Sequence, residues 1–303
     1  MRVTVKIPAT SANLGPGFDT LGMALSFYDE YQAEVIESGL EIEVSGEGAD
    51  VIPTDASNLI YSTIASVFSK VGKTVPPLRI SCRNQIPHGR GMGSSGAAVS
   101  GGVMLAAGLL SSEREFSEQE LLGFATDIEG HPDNVAPALF GGLTIAWMDS
   151  DRPHHKKLTV HRGVSPLVLV PPNQMSTKLA RSLQPESVPH TDAVFNVSRS
   201  ALLVAALTQS PELMFAATED RLHQNYRASA MPETSKLIEL LRSEGHPAVV
   251  SGAGPSVLVL EIDPQERVKA MQLAKENFPT WLPLTLAVDY KGASVELQFG
   301  SGA

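Results

Sequence analysis

The chain has 303 residues, 43% hydrophobic and 18% charged, with 23 Lys and Arg against 33 Asp and Glu for a formal net charge of -10. A generally acidic surface suits neither nucleic acid nor an anionic membrane, so an anionic ligand would have to be held by a local device. Cys82 is the single cysteine, which excludes a disulfide and a cysteine-based metal cluster, and no apolar run approaches the roughly 18 residues of a membrane span.

The length favours two domains, and the composition favours a cytoplasmic protein. The amino-terminal MRVTVKIP alternates Val3, Val5 and Ile7 with Arg2, Thr4 and Lys6, the pattern of a half-buried strand and not of a signal peptide. PATSANLGPGFDTLG (8–22) reads as a loop, and YQAEVIES and LEIEVSG as consecutive antiparallel strands. In SNLIYSTIASVFSKVG (57–72), a serine cap precedes a helix with Leu59, Ile60, Ile64, Val67 and Phe68 on one face. PLRISCRN is a strand, a glycine-rich loop follows, and residues 94–110 form a helix of small apolar residues. Another helix, over about 117–129, runs into EGHPDNVAPALFGG and then the strand GGLTIAW.

The polar, breaker-containing MDSDRPHHKK (148–157) marks the expected boundary between a domain of residues 1–155 and one of 156–303. Beyond it come the strand LVLVPP, a helix near TKLARSL, a long helix over about 191–208 and two more up to Glu244. Strands AVVSG and SVLVLEI, a helix from about 264 to 277 and the strand LPLTLAVDY complete the order. This succession predicts an α+β fold with a split β-α-β layer, not a doubly wound sheet.

The stretch PHGRGMGSSGAAVSGG (87–102) carries the strongest local signal. GMGSSG matches the dinucleotide fingerprint in form, but a spacer separates it from its strand and no second strand with an acidic end follows the helix. No lysine completes a P-loop, and Ala97 breaks the serine-hydrolase elbow. A phosphate cradle of another kind remains: glycines let successive N–H groups converge at the positive end of the helix that begins near Ser94. The bland alternative is a tight packing turn.

PHGRGMGSSGAA resembles the central P-x-x-x-G-L-G-S-S-A-A motif of the GHMP kinases, with Met92 where Leu is usual and Gly96 where Ala is usual. PATSANLGPGFDTLG resembles the family's first motif, in the form carried by its homoserine-phosphorylating members. SGAGPSVLVL (251–260) resembles the third. With SNLIY and EGHPDNVAP, the resemblance spans nearly the whole chain. It implies a two-domain GHMP kinase fold, with an amino-terminal domain like ribosomal protein S5 domain 2 and a ferredoxin-like carboxy-terminal domain. The activity it implies is ATP-dependent phosphorylation of the L-homoserine hydroxyl, a step of threonine biosynthesis. Threonine is the expected feedback inhibitor, and a homodimer is the family's usual state.

The resemblance also distributes roles. ATP is expected on Gly89, Gly91, Met92, Gly93, Ser94, Ser95 and Gly96, with Pro87 framing base and ribose. Asn58 is expected in the adenine pocket, although a helix cap explains it equally well. Ser95 and Glu129 are the candidate Mg²⁺ ligands, a sparse set that suits an ion keeping phosphate and water oxygens. A carboxylate is misplaced at a helix carboxy terminus, which favours the metal role for Glu129. His131 and Asn134 of HPDNV are expected to face the substrate, with Gly254 nearby. Asn13 and Asp19 are expected at its hydroxyl and amino end. Arg181 and Arg227, helped by Thr177 and Lys178, supply the cations that the substrate carboxylate needs. Arg221 is the less favoured substitute for Arg227, and solvated helix faces are the bland alternative for both arginines. Ser95, Glu129, Asp19 and Arg181 are expected to carry the reaction. No Asp–Lys pair stands out as a base, so direct attack of the hydroxyl on the γ-phosphorus is expected. The alternatives are a GHMP kinase for another small alcohol, of mevalonate or shikimate type, and a catalytically inactive ligand-binding paralogue.

Overall fold

A computed structural model describes residues 1–299. Its first layer is a sheet of seven strands: β1 (Arg2–Ala12), β2 (Leu21–Val35), β3 (Leu40–Gly46), β4 (Leu78–Asn84), β5 (Leu143–Asp149), β6 (Arg152–Leu158) and β11 (Ser294–Gln298). Against it pack helices α2 (Ser94–Leu109), α3 (Glu118–Glu129) and α4 (Pro132–Phe140), with α1 (Leu59–Lys70) packed on α2. The second layer is an antiparallel sheet of β7 (Ser165–Val170), β8 (Ala248–Val250), β9 (Val257–Glu261) and β10 (Leu282–Thr285), in the spatial order β10-β7-β9-β8. Between β7 and β8 lie α5 (Thr177–Ser182), α6 (His190–Thr208), the short α7 (Met214–Ala217) and α8 (Gln224–Arg227), and α9 (Pro232–Ser243). Helix α10 (Pro264–Asn277) joins β9 to β10. That order, with each outer strand reached by a helical crossover, is the expected ferredoxin-like arrangement.

The largest apolar cluster runs from Val3, Val5 and Ile7 of β1 through Val103 of α2 to Leu203 of α6 and Leu258 of β9, so one core joins the two layers. A second cluster, built on Leu167, Leu237, Leu241 and Trp281, lies beneath α9 and α10. Among the described residues, no helix is long and apolar enough to cross a membrane.

Three expectations need correction. Residues 8–12 and 21–22, read as loop, belong to β1 and β2, because Ala9 to Ala12 and Leu21 to Leu25 are buried on both faces and lose the alternation that marks a half-buried strand. LEIEVSG does not pair with the strand before it. Strand β4 inserts between them, antiparallel to β2 and parallel to β3. β4 buries Leu78, Ile80, Cys82 and Asn84, whereas the charge-bearing β3 takes the sheet edge. The cap of α1 is Asn58 and not Ser57: Asn58 Oδ1 accepts from the Ile60 and Tyr61 amides at 3.0 and 3.4 Å. The polar segment 148–157, where the domain boundary is expected, turns at Ser150 into β6, which pairs with β5, so residue 155 lies within a hairpin. The chain end also returns as β11 to pair with β1, from Arg2↔Gln298 to Lys6↔Ser294.

Candidate active site

The loop after β4 reaches α2 through Gly89, Gly91 and Gly93, all in the left-handed region. Gly93 caps α2 with no side-chain bond, and the Ser94, Ser95 and Gly96 amides meet no backbone acceptor among the described residues. Three free N–H groups thus sit at the positive end of a 16-residue helix, the arrangement that holds phosphate. Two other segments brace the loop. The Thr10 amide donates to the Met92 carbonyl at 3.1 Å, and the Ser251 hydroxyl bonds the Gly91 carbonyl at 2.6 Å. A Cβ on Gly91 would meet the Ser251 carbonyl oxygen at 2.1 Å, so loops 89–93 and 251–254 approach closely because residue 91 carries no side chain at the crossing. Three motifs far apart in the chain, represented by Thr10, Gly91 and Ser251, therefore meet at one point.

Two clefts flank this helix end and share Ser94 and Ser95 as a common wall. One, of about 330 Å³, is largely apolar, between Ile52, Pro53, Leu59, Tyr31, Cys82 and Ala98, with Asn58 and Asn84 at its margin. Burial pushes the Cys82 thiol up to about 12, so it lines that cleft as a neutral group. The Asn58 side chain is fully engaged, since Oδ1 caps α1 and Nδ2 donates to the Pro53 carbonyl at 2.8 Å. It shapes the cleft by holding the 53–60 corner.

The other cleft, of about 160 Å³, is polar and holds three carboxylates (Asp19, Glu129, Asp133), two guanidiniums (Arg181, Arg227) and His131. Ser95 Oγ donates to Glu129 Oε2 at 2.8 Å. Burial raises the Glu129 pKa above the ordinary carboxylate range, and the Ser95 bond opposes the shift. Asp133 lies 3.4 Å from His131 and raises the imidazole pKa, yet Asp133 Oδ1 and His131 Nδ1 are buried without a hydrogen-bond partner. Asn134 Oδ1 accepts from the Thr10 hydroxyl at 2.9 Å, which fixes its amide beside Gly93. Arg227 is almost wholly buried, and burial depresses its pKa. It lies over the Phe18 ring at 5.1 Å, and its Nε has no partner.

Arg181 and Asp19 form a two-point ion pair, at 2.9 and 3.3 Å, with side chains 40% and 39% exposed. A pair so exposed contributes about 1 kcal/mol or less, so a ligand can replace it readily. Asn13 is committed to the backbone: Nδ2 donates to the Gly252 carbonyl at 2.8 Å, and Oδ1 accepts the Asp19 amide at 2.9 Å.

Of the residues singled out from the sequence, Asn13, Asp19, Gly89, Gly91, Gly93, Ser94, Ser95, Glu129, His131, Asn134, Thr177, Arg181, Arg227 and Gly254 line the polar cleft, and Asn58 lines the apolar one. Pro87, Met92 and Gly96 line neither. Pro87 and Met92 are buried beneath the loop, and Gly96 packs under Asn134. Arg221 lines a separate cleft beside Arg242. Asp133, Ser176 and Gly252 line the polar cleft unanticipated, as do Tyr31, Cys82 and Asn84 the apolar one. An acidic residue in the first turn of a short helix was the available sign for Asp133.

The model of the GHMP kinases N terminal domain matches residues 58–142, and that of the GHMP kinases C terminal domain matches residues 198–279. A homoserine kinase of Leifsonia xyli subsp. xyli is 64% identical over 295 residues, covering 97% of this chain and 91% of the relative. One of Streptomyces coelicolor is 47% identical, covering 97% and 94%. The crystal structure of homoserine kinase from Cytophaga hutchinsonii superposes with a TM-score of 0.87 at 26% identity, covering 97% of both chains.

Proposed function

We propose a reaction for this chain from its family: it belongs to the GHMP kinases, is an ATP-dependent kinase, and transfers the γ-phosphoryl group of ATP to the side-chain hydroxyl of L-homoserine. The observation that carries the reading is the meeting of an apolar and a polar, zwitterion-matched cleft at the free amides of Ser94, Ser95 and Gly96. The adenine occupies the apolar cleft, whose walls suit a flat aromatic ring. The phosphates lie on the free amides.

In the polar cleft the substrate exchanges with the Asp19–Arg181 pair: its ammonium takes Asp19, and its carboxylate takes Arg181 and Arg227. Each charge of the pair is satisfied before and after binding, so little desolvation is left uncompensated. The amino-acid head is thereby fixed, and the hydroxyl is directed toward His131, Asn134 and the phosphate end. Holding the hydroxyl and the phosphorus in line supplies much of the rate, because phosphoryl transfer asks the protein for alignment and charge stabilisation. The hydroxyl attacks directly, its proton passes to an oxygen of the transferred group, and the loop amides stabilise the charge on that group.

The donor set fits Mg²⁺: one hydroxyl, Ser95 Oγ, and one carboxylate, Glu129, stand beside the phosphate amides, which suits an ion that retains phosphate and water oxygens. The ion would neutralise charge on the β- and γ-phosphates.

The test is ³¹P NMR of the protein with Mg-ATP and L-homoserine. A new phosphomonoester resonance growing in step with ADP supports the reading. ATP that stays intact, or is hydrolysed to inorganic phosphate at the same rate without homoserine, contradicts it.

A further inference from the structure

The loop that carries Asp19 is strained. Asn13, Leu14 and Asp19 adopt φ of 69°, 51° and 52°, three non-glycine residues in the left-handed region within seven positions. Such a loop keeps its form only where its surroundings over-determine it. Part of that support is internal, through the Asp19 amide's bond to Asn13 Oδ1, and part comes from the Gly252 carbonyl, which accepts from Asn13 Nδ2. The rest comes from the helices before β8, which supply donors to two loop carbonyls that point inward. The Pro16 carbonyl accepts from Asn196 Nδ2 at 2.9 Å and from the Ser200 hydroxyl at 2.5 Å. The Gly15 carbonyl is bonded to His223 Nε2 at 2.7 Å.

His223 has no solvent exposure, and two features show what it does there. A carbonyl faces Nε2, so Nε2 carries the proton; Nδ1 is buried with no partner, as suits a neutral ring. Burial lowers its pKa, in agreement. The imidazole also stacks on Phe18 at 4.9 Å and 18°, and Phe18 in turn lies 5.1 Å from the Arg227 guanidinium. One ring thus touches the loop at Gly15 and at Phe18, on either side of the bend that delivers Asp19. The backbone of His223 is anchored as well, its N–H donating to Asp220 Oδ2 at 3.1 Å.

We propose that His223 is a positioning residue for the amino-acid substrate: its Nε2–H holds the Gly15 carbonyl and its ring seats Phe18, so that Asp19 and Arg227 stand ready for the substrate's two charges. His223 reaches the substrate only through these groups, since its ring bonds Gly15 and stacks on Phe18 rather than on the phosphate loop. The inference rests on the assignment of the polar cleft to homoserine.

The experiment measures KM for homoserine, KM for ATP and kcat in the wild type, His223→Phe and His223→Gln. Phe keeps a ring against Phe18 but removes the donor, whereas Gln returns an N–H donor at a similar reach. The Phe variant is expected to raise KM for homoserine about tenfold or more, with KM for ATP within about twofold. The Gln variant is expected to recover to within about threefold of wild type. Equal impairment of the two variants, or a parallel rise in both KM values, would overturn the proposal, since a merely structural histidine affects both substrates alike. Phe18→Leu, at a half-buried position, serves if the Phe variant does not fold. It should raise KM for homoserine alone, and an unchanged value would count equally against the proposal. A wild type that turns over no homoserine would fail the underlying assignment instead.

Discussion

Replacing Gly91 with alanine tests the phosphate loop where two backbones cross. The new Cβ would stand 2.1 Å from the Ser251 carbonyl oxygen, 2.9 Å from that of Gly254 and 3.0 Å from the Gly254 nitrogen. These are backbone atoms, so no side chain can rotate away. Real Cβ atoms keep at least 3.0 Å from such neighbours, and the two loops must part by about 0.9 Å. A left-handed alanine adds about 1–2 kcal/mol of strain. The loss of stability is therefore expected at about 2–3 kcal/mol, in the range of local packing errors. The larger effect falls on the reaction. A displacement near 1 Å at the phosphate amides predicts kcat lower by about 10²-fold. Steady-state kinetics and thermal melting of Gly91→Ala, with Gly123→Ala as control, check both parts. Gly123 lies in α3 with nothing within 4 Å of its Cβ, and alanine there should stabilise by up to about 1 kcal/mol without altering turnover. A Gly91→Ala enzyme with kcat and KM for ATP close to wild type would refute the placement of phosphate on this loop.

Asn58→Ala should cost about 1 kcal/mol of stability through the lost cap of α1, and Asn58→Ser should restore most of it; calorimetry of the three proteins decides. Because the folded pKa of Glu129 is raised by burial, its contribution to stability is present at low pH and is lost as pH rises through that value. Glu129→Gln should therefore be more stable than wild type in melts at pH 8, with the difference shrinking toward pH 4, while its Mg²⁺ requirement for turnover rises sharply. Equal melting temperatures at pH 8 would contradict the burial argument. With its pKa near 12, Cys82 presents a thiolate fraction of about 10⁻⁴ at pH 8, so Ellman's reagent should label it only on unfolding. Rapid labelling of the folded protein would contradict its place in the wall of the apolar cleft.

Much of this site is legible in the chain because its chemistry is local. The glycine run before Ser94 and the first-turn amides of α2 are features of one short segment, and they reappear intact in three dimensions. The helices and the ferredoxin-like layer follow from amphipathic spacing and element order in the same way. What the sequence conceals is set by partners distant along the chain. Nothing in LEIEVSG reveals that β4 will insert beside it, and nothing in MDSDRPHHKK distinguishes an exposed hairpin from a linker, since both are polar. The same limit applies to single side chains. Asn13 looks like a ligand for a hydroxyl, but both ends of its amide serve the backbone, and His223 looks unremarkable until Gly15 and Phe18 are folded against it. Asp19 and Arg181 are 162 positions apart, so their pairing is a property of the fold alone.

Phosphorylation of homoserine is tested most directly by a coupled ADP-release assay with Mg-ATP against L-homoserine, mevalonate, galactose and shikimate, run on the wild type and on Arg181→Ala. Turnover is expected with homoserine and not with the other three. In the variant, kcat/KM should fall mainly through a higher KM for homoserine, with KM for ATP unchanged. Turnover of an alcohol that lacks the amino-acid head, or an Arg181→Ala enzyme with an unaltered KM for homoserine, would contradict the proposed reaction.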